Sequence, residues 1–143
     1  LMLKIGKAAL AAASVALLAV PATAQDEEEP RTTWRVLLID VADDGMGRWQ
    51  EIVMDHIIPA QEAAGVPVAQ LHWIAANDDW EMIVLNEMPR GMAAFDTHAN
   101  PERAALFAAL VEQEGSEEAV EALFDELNSL EVKTKSFFTH SHP

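Results

Sequence analysis

Cysteine is absent from the chain, so no disulfide can brace the fold, no thiolate can act as nucleophile and no N-terminal Cys can carry a lipid. The packed core must supply the stability alone. Basic residues are scarce, with 9 Lys and Arg against 24 Asp and Glu and a formal charge of −15. A surface of that sign repels phosphate backbones and anionic lipid headgroups, which excludes nucleic acid and anionic membranes as partners. Its ordinary consequence is solubility. No Gly-rich loop follows a predicted strand, no Gly-x-Ser-x-Gly elbow occurs, and no His-x-x-x-His or Glu-x-x-His spacing appears with further ligands. Neither a cofactor nor a metal ion is therefore expected.

Long apolar runs are confined to the stretch Ala8 to Val20. Lys4 and Lys7 precede it and Pro21-Ala22-Thr23-Ala24 follows it, which is the positive, apolar, small-x-small order of a cleavable signal peptide. The run is shorter than the roughly 20 apolar residues of a membrane span, so no stable membrane anchor is expected after cleavage. The sequence thus divides into a signal peptide at residues 1–24, a disordered acidic lead-in at 25–32 that includes Asp26-Glu27-Glu28-Glu29, and a single domain at 33–143. A periplasmic or secreted protein is expected.

From Thr33 to Val41 the residues are rich in β-branched and aromatic types and end at Asp43-Asp44-Gly45, which predicts a first strand and turn. The period then changes. At 100° per residue, Ile52, Val53, His56, Ala60, Ala63 and Ala64 fall within about 60° of Trp49, which predicts an amphipathic helix ended by Gly65 and kinked or broken at Pro59. Val66 to Ala76 and Trp80 to Glu87 read as strands of a hairpin turning at Asn77-Asp78-Asp79. Pro89 and Gly91 open a helical stretch, Asn100-Pro101 caps a helix through Val111, and Ser116 starts a last helix with Val120, Leu123, Phe124 and Leu127 inward. Glu131 to Thr139 reads as a fourth strand.

This order is the split βαβ arrangement of ferredoxin-like α+β folds, βαββαβ with extra helices before the last strand and a four-stranded antiparallel sheet. Both faces of the predicted strands carry apolar groups, as in Leu71 and Trp73 against His72 and Ile74. A sheet covered on one face only should be polar on the other, so a second copy of the chain is expected to cover it.

With its acidic turn, Trp-bearing first helix with Pro59 near its end, and Trp80 at the start of the third strand, the region Thr33 to Phe138 resembles the dimeric α+β barrel superfamily, in particular antibiotic-biosynthesis-monooxygenase-like and NIPSNAP-like proteins. The resemblance implies a homodimer. It also implies a choice among cofactor-independent monooxygenases, haem-degrading enzymes, isomerases and proteins without catalysis. In haem-degrading members an Asn on the first strand, a Trp on the third and a His in the second helical region work together; Trp80 and His98 match the last two, but the first strand holds no Asn. That departure speaks against haem degradation.

His56 and His72 are the candidate catalytic residues. His56 lies on the apolar face of the first helix, aimed at the sheet, where it serves either as a proton shuttle or as a core His satisfied by one partner. His72 lies between Leu71 and Trp73 and, in a hairpin centred on Asn77-Asp78, shares a face with Gln70, Ile74 and Glu81; acid-base work and dimer packing both fit it. Trp49, His56, His72, Trp73, Trp80 and His98 form the candidate pocket for a small hydrophobic ligand. The leading expectation is a homodimeric ligand-binding or non-catalytic barrel protein. Its rivals are a monooxygenase-like enzyme and an acidic adaptor using Glu112, Glu114, Glu117, Glu118 and Glu121.

Overall fold

The computed structural model describes residues 29–143. The expected signal peptide at 1–24 and residues 25–28 of the acidic lead-in lie outside the described residues. Strands β1 (Thr32–Val41), β2 (Gln70–Trp73), β3 (Met82–Met88) and β4 (Glu131–Ser141) form an antiparallel sheet in the order β2-β3-β1-β4. That is the ferredoxin-like topology. Because side chains alternate along a strand, the register that sets Ile39 opposite Met82 and Leu37 opposite Val84 sends all four toward the helices. Val36, Leu38, Ile83 and Leu85 point the other way.

The first helical rod comprises α1 (Met46–Glu51), a π-helical turn (Ile52–Ile57) and α2 (Ile58–Ala64). Pro59 explains the π turn. Its ring lacks an N–H and crowds the carbonyl four residues back, and a widened turn, in which the Ile58 N–H reaches the Val53 carbonyl, accommodates it without breaking the rod. Gly65 ends α2 with φ of 65°, a left-handed conformation open to glycine at little cost.

β2 is shorter than the expected run over 66–76. The Val66 N–H bonds to the Gln61 carbonyl and the Ala69 N–H to the Gln61 side chain, so this backbone is committed to the end of α2, and Pro67 has no N–H to give. β3 starts at Met82 rather than Trp80, because Asn77 Oδ1 accepts from the N–H groups of Asp79 and Trp80 and curls the connection. The hairpin is still centred on Asn77-Asp78, with Trp73 opposite Met82.

A 3-10 turn (Gly91–Phe95) leads to α3 (Pro101–Glu114) and α4 (Glu117–Leu130). Asn100 and Ser116 cap these helices through side-chain bonds to the N–H groups of Arg103 and Ala119. α3 runs three residues past Val111. β4 runs past Thr139, and His140 lies opposite Thr33 in the ladder.

Two buried clusters result. Ile39, Val41, Trp49, Val53, Met82 and Val84 join the rod to the sheet, while Ile52, Ala60, Leu110, Val120 and Leu123 join the helices to one another. Leu127 and Leu130 pack against both. Each fully buried large side chain among them contributes about 1.5–3 kcal/mol. Paired bonds from Arg48 to Glu126, at 2.7 and 2.8 Å, fasten the rod to α4.

A polar-ended cavity between sheet and helices

Packing between the two layers is incomplete and leaves a cavity of about 250 Å³. Leu37, Leu71 and Val84 wall it from the sheet, and Val53, Leu106 and Phe124 from the helices. Four of the lining residues carry polar groups. Trp49, on α1 and 1% exposed, donates its indole N–H to Glu131 Oε1 at 3.0 Å. Glu131, the first residue of β4, lies opposite Val41 and so reaches the helix side. Gln61, 7% exposed near the end of α2, accepts the Ala69 N–H at 3.0 Å. Asn86 stands on the helix-facing row of β3, opposite Arg35.

Of the residues expected to form a pocket, only Trp49 lines this cavity. His56 faces α3 instead of the sheet: its Nδ1 lies 2.7 Å from Glu114 Oε1, and Gln113 donates to both the His56 carbonyl and Glu114. The π turn accounts for the change, since more residues per turn delay the helical phase that a 100° step assumes. The bond from His56, assisted by Gln113, holds the Glu114 carboxyl below the usual carboxylate range.

His72 is exposed on the sheet face away from the helices, opposite Ile83. It shares that face with Glu81, but the Glu81 carboxylate is taken by the Val41 N–H at 3.0 Å. Trp73 is 54% exposed at the end of β2. Trp80 lies in the hairpin connection with Lys133 Nζ 4.3 Å from its ring centre. His98 is exposed between the 3-10 turn and α3. Of the acidic helical residues, Glu112, Glu117, Glu118 and Glu121 are exposed, whereas Glu114 is paired with His56.

Gln61, Asn86 and Glu131 were missed by sequence reasoning. Asn86 carried a signal, because it interrupts the apolar alternation Met82, Val84, Met88. A second, wider groove beside the 3-10 turn holds Arg90, Met92 and Phe138. Arg90 there is committed to Glu102 through bonds of 3.0 and 2.9 Å.

Element order, strand order and layering together define a ferredoxin-like α+β protein with two extra helical segments before the last strand. No protein-family model matches the chain, and no curated protein matches it. Among solved structures it is similar to a NIPSNAP family protein of unknown function from Agrobacterium tumefaciens strain C58, at 12% identity over 78% of this chain and 88% of that one, with a TM-score of 0.51. A second NIPSNAP family protein of that strain aligns at 12% identity over 77% and 91% of the two chains, with a TM-score of 0.49. The first likeness shows a shared fold, and it agrees with the resemblance to NIPSNAP-like proteins noted in the sequence.

Proposed function

We propose that this protein is exported, assembles as a homodimer through its open sheet face, and binds a small hydrophobic molecule between its sheet and helices. The observation that carries the binding reading is the cavity of about 250 Å³ with apolar walls and few polar groups. An apolar cavity of roughly 150 Å³ accommodates benzene, so this space suits a compound of one or two rings. Neither His56 nor His72 lines it, which favours binding over acid-base chemistry at this place.

The open sheet face supports the dimer. Leu85, Val36 and Phe137 form one row across it beside Gln70, and Ile83 and Leu38 the centre of the next, which ends at His72 and Lys135. Phe137 is 40% exposed. Apolar rows of this kind need cover, and a second copy of the same sheet supplies matching rows.

Native mass spectrometry of the full chain expressed in an exporting host reads processing, subunit count and retained mass together. The expected species is a dimer lacking residues 1–24, which becomes monomeric in Leu38→Lys. A wild-type monomer at micromolar concentration would remove the dimer, an intact N-terminal segment would remove export, and failure of every small apolar compound to bind would remove the cavity reading.

A further inference from the structure

The polar atoms of the cavity restrict the chemistry of its occupant beyond size and hydrophobicity. Gln61 has its orientation decided, since Oε1 accepts the Ala69 N–H and the amide nitrogen must then be the other end. Among the described residues that Nε2 donor has no partner. The Asn86 amide has none either. Among the described residues no sealed side-chain N or O is left unsatisfied, so both amides meet accessible space rather than packed protein. The Trp49 donor is already used on Glu131. What the cavity offers is thus a fixed amide donor at Gln61, an adaptable amide at Asn86 and a carboxylate at Glu131.

A hydrogen-bond donor in an apolar enclosure is favourable only when an acceptor meets it. The Glu131 carboxylate in the same wall repels a second carboxylate placed beside it, because like charges disfavour each other at short range. We infer that the cavity selects an uncharged carbonyl compound of one or two rings, its oxygen accepting from Gln61 Nε2, and discriminates against the corresponding acid. This inference rests on the binding reading above and assigns the chemical class of its ligand.

Calorimetric titration of the full chain with indane, 1-indanone and indane-1-carboxylate tests it, in the wild type and in Gln61→Met. One hydrogen bond of ordinary strength corresponds to about fivefold to tenfold in affinity. The expected result is an indanone-to-indane affinity ratio higher by that factor in the wild type than in the variant, with the carboxylate weakest. Measurable indane binding by the variant shows that the cavity survives the substitution, and the ratio cancels any general change in the site. An equal ratio in the two proteins, or tightest binding by the carboxylate, overturns the inference while leaving a hydrophobic site in place. Failure of indane and indanone alike to bind overturns the cavity reading and this inference with it.

Discussion

Replacing Glu131 by alanine removes the acceptor from the Trp49 indole N–H, a donor on a side chain 1% exposed. Losing a hydrogen bond to a charged acceptor, with the donor left buried, costs about 1.5–3 kcal/mol. Water entering the neighbouring cavity offsets part of this, so the expected loss is about 2 kcal/mol. Trp49→Phe removes the same bond from the other side, along with indole packing, and should cost at least as much. The two losses are not additive, since the double variant breaks one bond once, and a coupling of about 1–2 kcal/mol is expected. Urea unfolding followed by far-ultraviolet circular dichroism measures each, with a slope of roughly 1–3 kcal/mol/M turning the Glu131→Ala loss into a midpoint shift of about 1 M. A loss below about 0.5 kcal/mol, or an additive double variant, would refute the view that this bond pins the rod to the start of β4.

Bonds from Arg90 and Arg48 hold the Glu102 and Glu126 carboxyls below their ordinary value of 4.5. The folded state therefore takes up these protons less readily than the unfolded chain, and the stability each contributes is present above pH 4.5 and fades as pH falls through the lower folded values. The difference in urea midpoint between wild type and Glu102→Gln or Glu126→Gln should accordingly be full at pH 6 and shrink below about pH 4.5; a difference independent of pH would contradict it. Gly65→Ala meets no atom within 4 Å and should cost about 1 kcal/mol from its left-handed backbone alone. Gly45→Ala sets a new Cβ 2.9 Å from the Ala42 carbonyl oxygen and should cost more, although its φ of −88° suits any residue. Thermal midpoints that rank the two glycines the other way would reject that comparison.

Much of the fold was legible because it rests on local chemistry. Asn100 and Ser116 announce helix starts, Gly65 an end, and Asn77-Asp78 a turn whose register the structure shares. Strand ends were less legible because they depend on competition for backbone groups, as where Gln61 takes the N–H of Ala69 and shortens β2. The site was legible only through Trp49. A helical wheel with a constant step places His56 toward the sheet, and the π turn before Pro59 carries it to Glu114 instead. Glu131 read as the start of a strand, and its partnership with Trp49 joins residues 82 apart in sequence, beyond the reach of any local pattern.

The two outer strands are unequal, with four residues in β2 and eleven in β4. A long outer strand is a ready template for uncontrolled strand addition, and proteins guard such borders with charge, lysine above all. β4 carries Lys133 and Lys135 on the open side, and these are two of only 9 Lys and Arg in the whole chain. Lys133 also lies 3.7 Å from Asp79 and over the Trp80 ring, so one of the two guarding charges ties the border to the β2–β3 connection as well.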